Sequence, residues 1–256
     1  VEVRVGDAPV IVLDAGSGIR ALGAHLMHAG DDAPVHLFLT HRHSDHVLGL
    51  SHFAPLLTES RAITVCCGDG ESASIEAFVQ SLLSPPLFPY VDGLGRRMQL
   101  CEWGGHGART VGSARVHRFT ARHPGAAAVF RVDDTTGPLL AYAPDNELSY
   151  HDDSASVSQW RRDFVEFLRG VPVLIHDATY RQDELPRFVG WGHSSATEST
   201  RLAMECGAET LVLFHHHPDR DDDTIERMVD EARNQAVQAG TKLRVLAAWE
   251  GLGLTV

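Results

Sequence analysis

Three imidazoles and a carboxylate fall within six consecutive positions of this chain, His41-Arg42-His43-Ser44-Asp45-His46. They follow the apolar run Val35-His36-Leu37-Phe38-Leu39 with only Thr40 between. In a packed core each of these groups would need its own hydrogen-bonding partner. A bound cation removes the difficulty, because imidazole nitrogen and carboxylate oxygen both ligate a metal, at roughly 2.0–2.2 Å if it is zinc. From Val47 onward, Leu48, Leu50, Phe53, Leu56 and Leu57 recur at helical spacing. The cluster is therefore predicted on a loop between a buried strand and a helix that begins near Asp45 and His46.

The flanking sequence supplies a frame for that loop. Val1–Val5 alternates as a strand, and Gly6-Asp7 reads as a hairpin turn into Val10–Leu13. Asp14-Ala15-Gly16-Ser17-Gly18 breaks the strand and opens a helix over Ile19–His28. These glycines lack G-x-G-x-x-G spacing and no P-loop lysine follows, so a tight turn whose Asp14 braces the metal loop is favoured over a phosphate cradle. Strand Ile63–Cys67 leads through Gly68-Asp69-Gly70 to a helix over Glu71–Leu83. The stretch Ser84-Pro85-Pro86-Leu87-Phe88-Pro89-Tyr90 cannot continue it and reads as either a rigid connector or a lid over the metal loop.

Strands are predicted at Gln99–Trp103, Ala114–Thr120, Ala127–Val132 and Leu139–Ala143, then a helix at Val157–Arg169 and a strand at Val173–His176. Helix Ala196–Cys206, strand Thr210–Phe214, helix Asp223–Ala239, capped by Asp222 or Asp223, and strand Arg244–Ala248 close the chain. Two halves, each of strands followed by helices, predict an α/β fold. Its form is a four-layer αββα sandwich, two mixed sheets face to face with helices outside, as a single domain over residues 1–256. Val1 stands where a chain would begin with Met and already reads as strand, so a short segment is expected to precede it.

Charge narrows the partners. Against 22 Lys and Arg stand 34 Asp and Glu, a formal net charge of −12. Arg96-Arg97 and Arg161-Arg162 are isolated pairs rather than a basic stripe, which sets aside a long nucleic acid. A small anionic substrate fits better, because bound cations would offset the acidic balance locally. No apolar run approaches the roughly 18 residues of a membrane span, and no charged-then-apolar leader is present, so no membrane association is expected. Cys66, Cys67, Cys101 and Cys206 show neither C-x-x-C spacing nor a disulfide-dense pattern. Cys66-Cys67 read as buried structural thiols in a reducing compartment, the cytoplasm.

Further metal-ligating and proton-transferring residue types recur where strands end. His123 follows Ala114–Thr120, Asp145 follows Leu139–Ala143, Asp177 follows Val173–His176, and His215 follows Leu211–Phe214. His193 lies in the loop Gly192-His193-Ser194-Ser195. Strand-end loops on one edge of a sheet can converge on one pocket. The other histidines receive plainer readings: His25 and His28 on a helix, His36 in a strand, His52 on a helix face, and His106, His117 and His151 without a spacing partner. His216 or His217 replaces His215 if its strand runs further.

The motif His41-Arg42-His43-Ser44-Asp45-His46 resembles the H-x-H-x-D-H signature of the metallo-β-lactamase superfamily of metallo-hydrolases. Leu13-Asp14-Ala15-Gly16-Ser17-Gly18 resembles its early D-x-G turn, and Ala143-Pro144-Asp145-Asn146-Glu147 its bridging-aspartate segment. Asp177-Ala178-Thr179-Tyr180 and Gly192-His193-Ser194-Ser195 are similar to elements of the ribonuclease Z and PhnP-like phosphodiesterase branch.

The resemblance implies two divalent ions, zinc by default with manganese or iron as alternatives. His41, His43 and His123 would ligate one ion, Asp45, His46 and His215 the other, and Asp145 and a hydroxide would bridge them. Asp177 and His193 would form a proton-transfer pair, or else Asp177 caps a loop and His193 braces the metal ligands. Asp45, Asp177 and His193 are the candidate catalytic residues.

The implied activity is hydrolysis of a small phosphodiester or cyclic nucleotide. The alternative is hydrolysis of a carboxylic ester or lactone at the same metals, with Tyr180 or Tyr90 near the pocket, and a non-enzymatic metal-binding protein ranks below both. Transfer-RNA processing is set aside, because only a short connector lies between Ala178 and Gly192. A homodimer is the default assembly.

Overall fold

The computed structural model describes residues 1–30, 32–58, 61–68, 75–89, 98–103 and 107–256. The chain divides into two compact units, Val1–Val116 and His117–Val256.

The first unit carries a five-stranded sheet in the order β1-β2-β3-β4-β5, formed by Glu2–Val3, Val10–Leu13, Val35–Leu39, Ile63–Cys67 and Met98–Glu102. β1 pairs antiparallel with β2, and the other neighbours are parallel. Strands covered on both faces read as continuous apolar runs, and β2 and most of β3 are wholly buried. Leu37, Phe38 and Leu39 are fully buried, each contributing about 1.5–3 kcal/mol over exposure, which anchors the chain just before the histidine loop. Helix α1 (Ile19–His28) lays Ile19, Gly23 and Leu26 against this core.

The predicted helix after the histidine loop is broken into three pieces: α2 (Ser44–Val47), a 3-10 turn (Leu48–His52) and α3 (Ala54–Leu57). Two residues explain the break. Gly49 packs so tightly on the carbonyls of Ala15 and Gly16 that a Cβ there would collide with them. Pro55 has no N–H to continue a helix and sits in the first turn of α3. Helix α4 is Ile75–Leu82; the predicted start at Glu71, residues 69 and 70 before it, and residues 90–97, including Tyr90 and Arg96-Arg97, lie outside the described residues, as does His106.

A seven-stranded sheet follows in the order β12-β11-β10-β9-β8-β7-β6. Its strands are β6 (Arg109–Val111), β7 (Ala114–Thr120), β8 (Ala128–Asp133), β9 (Pro138–Ala143), β10 (Val173–Asp177), β11 (Thr210–Phe214) and β12 (Arg244–Ala247). β9 through β12 are parallel, while β6–β7 and β8–β9 are antiparallel. In the second unit, helices α5 (Ala155–Leu168), α6 (Ala196–Cys206) and α7 (Asp222–Gln238) contribute Phe164, Leu202, Ala203, Met228 and Val229 to one core with Leu174, Leu211 and Leu213.

α6 starts with a full capping box between Ser195 and Glu198 and ends at Gly207 in the left-handed conformation. The cap of α7 is Asp221, which accepts from the Thr224 N–H, rather than Asp222 or Asp223. No helix among the described residues is long and apolar enough to cross a membrane.

The reading of Cys66 as a thiol is corrected. In-register pairing of β4 with β5 sets Cys66 beside Cys101, Cα atoms 4.6 Å apart, and the two form a disulfide. Strand pairing across 35 positions is invisible in the cysteine spacing. Cys67 and Cys206 are buried and outside any disulfide, as expected for Cys67. His117 also has a partner, Asp133, at 3.1 Å.

Candidate metal centre

In the first unit, β2 and β3 run parallel with Leu13 opposite Phe38, so both strands end at the same level. Asp14 leaves β2 in the left-handed conformation, φ 61°, which aspartate tolerates better than most residues. Its buried carboxylate accepts from Thr40 N–H at 2.7 Å and from the Thr40 hydroxyl at 2.9–3.0 Å. It also accepts from His46 Nδ1 at 2.8 Å. The Asp14 turn thus braces the histidine loop directly. Gly16 allows this approach, because a Cβ there would lie 2.5 Å from the Asp45 carbonyl oxygen.

The loop bundles its imidazoles. The ring centroid of His41 lies 4.4 Å from that of His43 and 4.3 Å from that of His46, and Asp45 Oδ2 lies 3.2 Å from His46 Nε2. Because the Thr40 hydroxyl donates to Asp14, its oxygen accepts from His41 Nδ1, 3.0 Å away. With Nδ1 of His41 and His46 donating, Nε2 carries the lone pair that a cation requires.

The second unit repeats the device. β9, β10 and β11 run parallel in register, Ala143 opposite His176 and Asp177 opposite Phe214. Asp145, Asp177 and His215 therefore emerge side by side at the carboxyl ends of the strands, where open α/β sheets bind ligands. Thr179 plays the part of Thr40: its hydroxyl lies 2.9 Å from Asp177 Oδ1 and 3.0 Å from His215 Nδ1. His123 Nδ1 donates to the Gly192 carbonyl at 3.1 Å.

Ligand atoms of Asp145, His193 and His215 fall within 4.8 Å of one another. The two oxygens of the buried Asp145 face different histidines, Oδ2 lying 3.7 Å from His123 Nε2 and Oδ1 3.5 Å from His215 Nε2. His215 adopts a left-handed backbone, φ 58°, strain of about 1–3 kcal/mol of the kind that accumulates at functional sites. His216 is half-buried, and that burial pushes its pKa down; His217, also half-buried, lies 3.9 Å from Asp219.

His193 Nδ1 donates to Asp177 Oδ2 at 2.7 Å. Burial disfavours the imidazolium, but the hydrogen bond and charge of Asp177, helped by Asp145, outweigh it and raise the His193 pKa above its ordinary value. Asp177 itself is fully buried and accepts from the N–H groups of Thr179 and Asn146. His176, on the same strand, is wholly buried and its pKa is lowered by that burial. It accepts from Asn146 Nδ2 at 3.1 Å, and Asn146 Oδ1 accepts from Arg122 N–H, which fixes the backbone next to Asp145.

Glu147 was not singled out from the sequence. It is 5% exposed, and its Oε2 accepts from Gly190 N–H and Gly192 N–H, both at 2.9 Å. A buried carboxylate thus pins the loop that carries His193 and supplies the carbonyl for His123. The only signal in the sequence is its place two residues past a strand-end aspartate.

The donors are imidazole nitrogens and carboxylate oxygens without thiolate, a set that suits borderline divalent ions. Clusters of His and Asp donors oriented by outer hydrogen bonds are those of a dinuclear metal-dependent hydrolase. Residues 10–216 match the beta-lactamase superfamily domain, and the chain belongs to that family.

An uncharacterized protein of Mycobacterium bovis, Mb1374, is 27% identical over 222 residues, covering 84% of this chain and 73% of the relative. A ribonuclease Z of Haloarcula marismortui is 24% identical, covering 89% and 83%. Among solved structures, the metallo-beta-lactamase fold protein YhfI of Bacillus subtilis superimposes with a TM-score of 0.70 at 20% identity, over 98% of this chain and 88% of that one. Unliganded yeast PDE1 gives 0.70 at 16%, over 95% and 90%. The fold is thus of the predicted α/β class, built on a five-stranded and a seven-stranded sheet, with ribonuclease Z among its relatives.

Proposed function

We propose that the chain acts as one domain over residues 1–256 and hydrolyses a small phosphodiester, such as a cyclic nucleotide, with two divalent ions, zinc by default. His41, His43 and His123 would hold one ion, Asp45, His46 and His215 the other, and Asp145 both. The observation that carries this reading is Asp145, whose two oxygens turn to two different histidines, as a bridging carboxylate requires. Two such ions, when bound, lower the pKa of a water and offset charge on the attacking and leaving oxygens.

The chain's own residues then handle the proton. Asp177 accepts from His193 Nδ1, orients the ring and favours its protonated form, so that Nε2–H can donate to the departing oxygen. His193 retains solvent access, with 14% of its side chain exposed, whereas Asp177 has none. Donor and anchor are thereby separated. Asp45 completes the catalytic set as an exposed carboxylate beside His46.

The acidic balance supports a small anionic substrate over a long nucleic acid. The buried, unoxidised thiols of Cys67 and Cys206 support a cytoplasmic location, and the Cys66–Cys101 disulfide weighs against it. A homodimer is the proposed assembly.

Ester or lactone hydrolysis is the second reading, favoured by Tyr180, whose ring lies 6.0 Å from that of His193. Burial and the nearby carboxylates of Asp177, Glu147 and Glu184 raise its phenol pKa and keep it protonated. A metal-reconstituted panel of 2′,3′- and 3′,5′-cyclic nucleotides, phosphonate esters and lactones separates the two. Turnover of the phosphodiesters with inert lactones is expected; rapid lactone cleavage with inert phosphodiesters overturns the proposal.

A further inference from the structure

Trp191 is 61% exposed and lies two residues before His193, between Gly190 and Gly192, both at φ +85°. Surface tryptophans are ordinarily adaptable, but the backbone on both sides of this one is clamped. The Gly190 and Gly192 N–H groups converge on one oxygen of buried Glu147, and a Cβ on Gly192 would collide with the His123 ring. A chain of rings links Trp191 to the proton donor. Trp191 meets Phe188 edge-on at 5.5 Å, Phe188 stacks flat on Tyr180 at 4.4 Å and 3°, and Tyr180 meets His193 edge-on at 6.0 Å. Phe188 and Tyr180 already fill one another's faces, whereas most of the indole surface of Trp191 is open to solvent.

We infer that Trp191 is a specificity-determining residue on which an aromatic portion of the substrate, a nucleobase or an aryl group, stacks. The inference rests on the phosphodiesterase reading and deepens it by naming the recognised part of the substrate. A flat π-face on a pinned backbone suits every base and gains affinity without ordering the loop that carries it. Stacking on a residue two positions before His193 would hold the substrate on the loop that carries the proton donor.

The test is calorimetric binding of adenosine 5′-monophosphate and ribose 5-phosphate to the metal-loaded wild-type protein and to its Trp191→Phe and Trp191→Ala variants. The two ligands share the phosphate and the sugar and differ in the base. The wild type is expected to favour the nucleotide by roughly 5- to 100-fold, Trp191→Phe to keep most of that preference, and Trp191→Ala to reduce it to about twofold or less. A wild type that does not distinguish the ligands, or a Trp191→Ala variant that keeps the full preference, overturns the inference. A wild type that prefers the nucleotide yet cleaves no phosphodiester sustains the stacking role while sinking the hydrolytic reading, so the two failures are distinguishable.

Discussion

Replacing Asp177 by Asn separates its two duties, holding a loop and setting the protonation of His193. The carboxylate accepts from Thr179 N–H and the Thr179 hydroxyl through Oδ1, and from Asn146 N–H and His193 Nδ1 through Oδ2. An asparagine can keep the Oδ1 contacts, but its amide nitrogen then faces the Asn146 N–H, donor against donor. Such a mismatch costs about 1–3 kcal/mol, which a domain of ordinary stability survives.

The larger effect is on His193. An amide donating to Nδ1 makes that nitrogen the acceptor and leaves a neutral ring, whose Nε2–H is a very weak acid. Loss of a positioned general acid lowers kcat about 10²- to 10⁴-fold, equivalent to about 2.7–5.5 kcal/mol of barrier. The assay compares leaving groups on the metal-loaded variant. Cleavage of a 2′,3′-cyclic nucleotide, which expels a sugar alkoxide, should show the full loss, while a bis(p-nitrophenyl) diester, whose phenolate departs without a proton, should lose far less. Equal losses on both substrates, or none on either, would refute the proton-donor role.

Other residues give independent checks. Glu147→Ala strands the Gly190 and Gly192 N–H groups and should lower unfolding free energy in urea by about 2–5 kcal/mol, whereas Glu147→Gln, which keeps an acceptor oxygen, should cost about 1 kcal/mol. Arg220 forms two charged hydrogen bonds to Glu184, at 3.0 and 2.5 Å, and a third to the Thr179 carbonyl at 3.2 Å. The Arg220 hydrogen bond holds the Glu184 pKa near 2, against an ordinary 4.5. A depressed carboxylate pKa stabilises the fold fully above the unfolded value and loses that contribution as pH falls through the folded one. Glu184→Gln should therefore destabilise by about 1 kcal/mol at pH 7 after allowance for solvent screening, with the difference from wild type closing as urea titrations move from pH 4.5 toward 2.

Much of the architecture was legible because its signals are local. Apolar runs such as Val10–Leu13 and Thr210–Phe214 mark buried strands, and six neighbouring residues from His41 to His46 hold four of the candidate ligands. Asp145, Asp177 and His215 could be placed at strand ends because each stands just past an apolar run.

What escaped depends on contacts between segments far apart in sequence. Gly49 breaks a helical pattern only because Gly16 and Ala15 lie against it, and Cys66 reaches Cys101 only through the pairing of β4 and β5. The short strand β6 is three residues long and lacks a period to read. Glu147 looks like a surface glutamate until the two N–H groups it accepts from, more than forty positions away, are brought to it. The hydroxyls of Thr40 and Thr179, which set the tautomers of His41 and His215, are equally silent in sequence.

The most direct test of the account is the metal content of the protein. After reconstitution with excess zinc and removal of unbound ion, elemental analysis should give about two equivalents per chain, as a bridged dinuclear centre requires. One equivalent, or none, would contradict the bridging role assigned to Asp145 and with it the proposed centre.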